Sequence, residues 1–219
     1  MTARRLGTGS ALLAGTLLAW VVTARQVRGM DMGPSADLGG FAWYTGVWVA
    51  MTVAMMLPSA APTVLLVDRL SPRATPLFLA GYLVAWLGFG LAVYGLARLI
   101  VDAGAGGWHA SGPLIAAAGL YQLSPLKRMC LRRCRDPLSF LRSRAGRPRL
   151  RVGVEHGLYC IGCCAGLMVV LFALGMMSIT WMVVVAGAIT AEKIAPGGER
   201  LATPIAAGLI VAGAWLTLA

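Results

Sequence analysis

The sequence predicts an all-α protein, a polytopic transmembrane helical bundle of about seven spans. Of its 219 residues, 58% are hydrophobic and only 12% are charged, whereas an average soluble domain has about 25% charged residues. The apolar residues stand in long blocks separated by short polar segments, and a helix needs about 20 of them to cross a bilayer. We therefore expect a single integral membrane domain over 1–219, without a soluble domain.

Seven blocks are candidate spans. The first is short and flanked by arginines, so it is either a retained helix, which we favour, or a cleavable signal peptide. The fourth is the weakest, because it contains Gln122, Ser124 and Pro125. The fifth and sixth are nearly continuous, and we expect an antiparallel hairpin with its turn at 175–178. The predicted spans lie near 9–24, 41–67, 76–97, 113–129, 154–174, 177–194 and 201–218.

Lysine and arginine predict the orientation. With the N-terminus inside, the outside segments hold Arg25, Arg28 and Arg98, and the other sixteen of the 19 basic residues lie inside. Basic residues favour the cytoplasmic side, so we expect a cytoplasmic N-terminus and a basic cytoplasmic loop at 127–151. The net charge of +11 does not indicate nucleic-acid binding, because these charges flank apolar segments. The loop either lies on anionic headgroups or docks an acidic cytosolic partner.

The five cysteines form two groups. Cys160, Cys163 and Cys164 begin the fifth span, and Cys130 and Cys134 follow the end of the fourth. The predicted topology places both groups at the cytoplasmic face. A reducing cytosol keeps thiols free, so the cysteines indicate metal ligation or redox chemistry rather than structural disulfides.

Helical geometry places these thiols on shared faces. At about 100° per residue, the three cysteines of the fifth span and His156 fall on one helix face. Cys130 and Cys134 share a face if their helix continues to Asp136-Pro137, a pair that predicts a helix end because proline disfavours a helical conformation in the residue before it. The two faces can converge on one ion, and thiolate with imidazole suits copper(I), our first choice, or zinc. The alternative is that the cysteines pack as small hydrophobic residues.

Other side chains are candidates for a supporting role. Methionine sulfur binds copper(I), so methionines of the second and fifth spans either mark a path to the cysteines or fill gaps in the core. Two polar residues of the fourth span are candidates for hydrogen bonds to the site, and an acid of the sixth span is either a salt-bridge group near the thiols or an interface anchor. These residues are Met51, Met55, Met56 and Met168, with Tyr121, Gln122 and Glu192.

Several common chemistries lack their motifs. The sequence has no phosphate-binding GxxxxGK[ST] loop and no HExxH motif. His109 is isolated in an outside loop, so the sequence offers no histidine pair for haem. We therefore assign no catalytic or cofactor-binding residue and do not expect an enzyme.

Four segments carry a resemblance to a bacterial family of uncharacterised, predicted metal-binding integral membrane proteins, a domain of unknown function. The similarity covers roughly 41–193, although Ala165 stands where the family has tryptophan. The resemblance implies a metal-binding role for the cysteine segment and a bacterial inner-membrane location, but names neither metal nor activity. The segments are AMMLP at 54–58, AGLYQ at 118–122 continuing to Cys134, HG at 156–157 continuing through CxGCC to Met168, and GM at 175–176 with EK at 192–193.

The residues and the resemblance together predict a soft-metal protein of the membrane, most simply a copper protein. It would serve metal homeostasis by transport, delivery or cofactor assembly, with the lipid bilayer, the ion and a metal-donating or metal-accepting protein as partners. One alternative is a thiol/disulfide oxidoreductase using Cys130 with Cys134 and Cys160 with Cys163. A non-catalytic subunit of a membrane complex is another.

Overall fold

The computed structural model describes residues 2–27, 40–102, 111–174 and 178–218, and these ranges contain helices and no strand. Two short 3₁₀ turns, Pro72–Ala74 and Gly198–Leu201, precede the third and the last helix. The helices in chain order are α1 Thr2–Val27, α2 Phe41–Leu70, α3 Thr75–Asp102, α4 Ser111–Gln122, α5 Pro125–Arg135, α6 Pro137–Arg142, α7 Arg149–Leu174, α8 Ile179–Ile194 and α9 Ala202–Leu218. The all-α prediction is therefore confirmed over the described ranges.

Within the described ranges, five helical stretches are long and apolar enough to cross a membrane, so the predicted number of about seven is not supported. They match the predicted first, second, third, fifth and seventh spans. The predicted sixth span is α8, whose 16 residues reach about 24 Å, short of the ~30 Å hydrocarbon core. Residues 175–177 of the predicted hairpin turn lie outside the described residues. The five stretches are Gly7–Val27, Phe41–Leu70, Pro72–Leu99, Arg149–Leu174 and Gly198–Leu218.

The predicted fourth span is divided between two helices, because the chain breaks after Gln122. Ser124 is extended and caps α5, its hydroxyl accepting the backbone N–H of Lys127 at 3.1 Å. Pro125 fills the first position of α5, where its missing N–H costs nothing. Proline also disfavours a helical conformation in the residue before it. The 12 residues of α4 reach only about 18 Å.

Most of the predicted basic loop 127–151 is helical, since it contains most of α5, all of α6 and the start of α7. Asp136 ends α5 and caps α6, accepting the backbone N–H of Ser139 at 3.0 Å. The pair Asp136-Pro137 therefore acts as the predicted stop for α5, and it also starts the next helix.

Helix α7 positions the site, because it packs against α3, α4, α5 and α8. Glycines allow the closest approach: a Cβ at Gly153 would collide with the carbonyl of Phe78 on α3, and one at Gly166 would lie 3.0 Å from the ring of Tyr121 on α4. Helix α1 packs on α2, and α9 packs on α4. The largest core cluster joins methionines, aromatic side chains and four of the cysteines.

Candidate metal centre

Three sulfur atoms from α5 and α7 lie together. The Cys163 sulfur is 3.8 Å from that of Cys134 and 3.5 Å from that of Cys164. Cys163 and Cys164 are buried, whereas Cys134 is half-buried, and all five cysteines are free thiols. Ligands of one tetrahedral metal ion with bonds of about 2.3 Å are ~3.8 Å apart. The separations are therefore those expected between sulfur ligands of a common ion.

The donors are assembled but are not a finished coordination shell. Within the described ranges, no group of three or more His, Cys, Asp or Glu side chains is already arranged to hold a metal ion. The donor set nevertheless suits a soft ion, because thiols dominate it and its surroundings are apolar. Uptake of an ion would require small rotations of the cysteine side chains.

Cys160 occupies a different environment from these three thiols. Its sulfur lies 2.9 Å from the ammonium of Lys193 on α8 and shares a 3.1 Å hydrogen bond with the hydroxyl of Tyr82 on α3. The Cys163 thiol donates a 3.1 Å hydrogen bond to the Cys160 carbonyl. Cys160 is fully buried, so its sulfur is held by polar contacts in an apolar core.

A buried ion pair ties α5 to α8 beside the thiols. The Lys127 ammonium lies 2.7 Å from both carboxylate oxygens of Glu192, and both side chains are almost inaccessible. Gln122 joins them, donating to Glu192 at 3.2 Å and accepting from Lys127. Arg135 adds a 2.5 Å hydrogen bond to the Glu192 carbonyl. Glu192 and Gln122 thus contact Lys127, and none of the hydrogen bonds described for these two side chains reaches a cysteine.

The Cys130 sulfur lies against Gly162 of α7, and none of the sulfur–sulfur contacts among the described residues includes it. A Cβ added at Gly162 would lie 2.6 Å from the Cys130 sulfur. The lack of a side chain at Gly162 therefore leaves the space that the Cys130 sulfur fills. The hydroxyl of Tyr121 donates a 2.5 Å hydrogen bond to the Gly162 carbonyl. Burial raises the pKa of the Cys130 thiol above its usual value. This environment favours a neutral, packed thiol.

Gly162→Ala is expected to destabilise the protein by about 1–3 kcal/mol, because the new methyl group overpacks against Cys130. Thermal unfolding in detergent measures the effect. The double variant Gly162→Ala/Cys130→Ala should recover most of the loss, since it removes the colliding sulfur. Gly187→Ala on α8 is the matched control, because nothing lies within 4 Å of its added Cβ. Equal melting temperatures for Gly162→Ala and Gly187→Ala would show that the close contact is absent.

His156 is buried in an aromatic setting one turn before Cys160. Its ring centroid lies 5.6 Å from that of Phe78, 5.9 Å from Tyr82 and 5.2 Å from Phe140. Its Nδ1 atom has no hydrogen-bond partner in the part of the chain that the structure describes. His156 therefore retains an unused nitrogen, and Tyr82 contacts both this ring and the Cys160 sulfur.

The predicted methionines are buried in the same core cluster as four of the thiols. Met51, Met55, Met56 and Met168 belong to it, each no more than 1% exposed. Their placement agrees equally with core packing and with a thioether path, so the path stays a prediction.

Sequence spacing does not predict three of the contacts that Cys160 and Glu192 make, those of Lys193 and Tyr82 with Cys160 and that of Lys127 with Glu192. The sequence places Lys127 in the basic loop and contains no spacing pattern that brings Lys193 or Tyr82 to Cys160. The available signal was charge inside or beside apolar segments, which is costly in a membrane and requires a partner. Sequence spacing does not reveal that Glu192 and Lys193, adjacent on α8, face different helices.

The fold and the site define a helical protein in which a buried thiol cluster joins two helices. The sequence profile of the PpoB2 family, described as a copper chaperone, matches residues 45–216, and the chain belongs to that family. The match supports the predictions of metal binding and of copper in particular. Neither a curated protein nor a solved structure matches the chain.

Proposed function

We propose that this protein is an integral membrane copper chaperone that holds copper(I) between α5 and α7 and passes it to a partner protein. The observation that carries the proposal is the 3.8 Å approach of the Cys134 and Cys163 sulfurs across the two helices, beside Cys164. The family's description as a copper chaperone supports the choice of metal.

The ligand chemistry favours copper(I) over other ions. Thiolates are soft ligands that suit copper(I) and zinc, whereas magnesium and calcium require oxygen. Structural zinc sites are almost always closed by four ligands, and the compact cluster offers three thiols. Cys160 and His156, which are on α7 with Cys163 and Cys164, are the candidates to add a fourth ligand to the metal. Cys130 is the weakest candidate, because its sulfur faces Gly162.

The half-buried Cys134 is the proposed exchange point. The other thiols are at most 4% exposed, so an approaching carrier reaches Cys134 first. Transfer would proceed by ligand exchange, in which a bond from copper to a partner's thiolate forms as the bond to Cys134 breaks. No electron is transferred, and copper remains in the +1 state.

The proposed setting is the bacterial inner membrane, with the thiols near the cytoplasmic face. Five helices of sufficient length and hydropathy support membrane insertion. The arginine-rich segment 127–151 supports a cytoplasmic position for α5, α6 and the start of α7, by the bias of basic residues toward the cytoplasm.

Anaerobically purified protein is expected to contain roughly one copper ion per chain, because the thiol cluster has the donors that retain soft ions. The triple variant Cys160→Ser/Cys163→Ser/Cys164→Ser should lose nearly all of it, as measured by elemental analysis. Ala165→Ser is the matched control, since it adds a hydroxyl on the same helix without removing a sulfur. Equal copper content in the triple variant and the wild type would refute the proposed function.

A thiol/disulfide oxidoreductase is the second candidate, and the same short sulfur separations favour it. The close pair between helices is Cys134 with Cys163, which differs from the pairs predicted from the sequence. This function requires a Cys134–Cys163 disulfide under mild oxidation and reduction of a substrate disulfide by metal-free protein. Reduction of a substrate disulfide by the metal-free chain, with formation of the Cys134–Cys163 bond followed by mass spectrometry, distinguishes it from copper delivery.

A further inference from the structure

Lys193 is a buried cation that has no carboxylate partner among the described residues. Its side chain lies in the core and contacts the Cys160 sulfur at 2.9 Å and the Ser59 hydroxyl at 3.1 Å. Among the described residues, no carboxylate forms a salt bridge with it, because the neighbouring Glu192 pairs with Lys127. A buried charge without a carboxylate partner is costly in an apolar core, which indicates that the positive charge of Lys193 has a function.

The ammonium of Lys193 interacts electrostatically with four of the cysteine sulfurs. Lys193 contacts Cys160 directly, and its charge also acts on Cys163, Cys164 and Cys134. The Lys127–Glu192 pair is internally neutralised, so it adds little net charge nearby. A metal ion held by the thiols would therefore lie near the buried positive charge of Lys193.

This charge discriminates between ions by their valence. For one set of thiolate ligands, the attraction between ammonium and sulfur is the same for every metal, whereas the repulsion between ammonium and ion grows with the ion's charge. One additional unit of ion charge roughly 5 Å away, at an effective dielectric constant of ~20, corresponds to an affinity difference on the order of 100-fold. Recruitment of a further thiolate by a divalent ion would reduce this difference.

We propose that Lys193 is a specificity-determining residue that makes the thiol cluster prefer a monovalent soft cation to a divalent one. The inference rests on the proposed function, because it concerns the same thiols, and it adds the basis on which copper(I) is chosen over zinc. Lys193 acts through its charge, whereas Ser59 and Tyr82 hold the ammonium and the sulfur in place.

The test compares copper(I) and zinc(II) affinities of the full chain in detergent, each by competition with a chromophoric chelator under anaerobic conditions. Lys193→Met and Lys193→Gln remove the charge, and the second retains a polar group if the first does not fold. Lys193→Arg keeps the charge. Ser59→Ala is the matched control, because it removes the other contact of Lys193 without changing any charge.

The ratio of copper(I) to zinc(II) affinity should fall by at least about tenfold in Lys193→Met and Lys193→Gln. It should stay near the wild-type value in Lys193→Arg and Ser59→Ala. An unchanged ratio in a folded, charge-free variant overturns the inference while leaving copper binding by the wild type intact. A wild-type protein that binds no copper instead overturns the proposed function, and this inference with it.

Discussion

Replacing Cys163 by Ser is expected to weaken copper(I) binding by at least about 100-fold, the largest effect of any single cysteine substitution. Cys163 is the sulfur that approaches both Cys134 and Cys164, so its loss breaks the link between α5 and α7. Hydroxyl oxygen is a poor ligand for a soft ion. Competition with a chromophoric copper(I) chelator, using protein reduced and purified without oxygen, measures the change.

Cys130→Ser is the matched control for this prediction. Both residues are buried cysteines of the same hydrophobic core cluster, but the Cys130 sulfur packs against Gly162. The Cys130→Ser substitution should therefore lower copper(I) affinity by less than about tenfold. A ranking in which Cys130→Ser is the more damaging variant would contradict the assignment of Cys163 as the central ligand.

Lys127→Met is expected to destabilise the fold by about 3–5 kcal/mol, because it leaves the buried carboxylate of Glu192 without its cation. For a chain of this length the loss corresponds to a fall in Tm of roughly 10 °C. Thermal unfolding in detergent, followed by the fluorescence of the 7 tryptophans, measures it. Copper affinity should fall as well, since the pair fixes α5, which holds Cys134, against α8.

Two comparisons separate this effect from a general loss of charge. Arg132→Ala removes a partner of Glu199 in a pair whose side chains are 71% and 39% exposed, and it should cost less than about 1 kcal/mol. The double variant Lys127→Met/Glu192→Leu should be more stable than Lys127→Met alone, because no unpaired charge remains. If Lys127→Met unfolds at the wild-type temperature, the buried Lys127–Glu192 pair does not stabilise the packing of α5 against α8.

The helical class and the sharing of faces among the cysteines were predictable from sequence. Long apolar blocks predict helices, and spacings of three and four residues place Cys160, Cys163 and Cys164 on one side of a helix. The pair Asp136-Pro137 predicted the end of α5. These predictions succeeded because they depend on local geometry, which a single segment contains.

Contacts between helices were not predictable in the same way. The sequence predicts one weak span across Ser124-Pro125, although serine before proline is also a signal that starts a helix. The different surroundings of the thiols depend on two contacts, that of Cys130 with Gly162 and that of Lys193 with Cys160. Lys193 and Cys160 are separated by 33 positions in the chain. Such contacts follow from packing between helices, which spacing within one helix does not specify.

Copper K-edge X-ray absorption of the copper-loaded protein tests most directly whether sulfurs of α5 and α7 hold one copper(I) ion together. The wild type should show a copper(I) edge and sulfur neighbours at about 2.3 Å, the length of a metal–thiolate bond, and Cys134→Ser should show fewer sulfur neighbours. Neighbours of oxygen and nitrogen alone, or the same number of sulfurs in Cys134→Ser, would contradict the account.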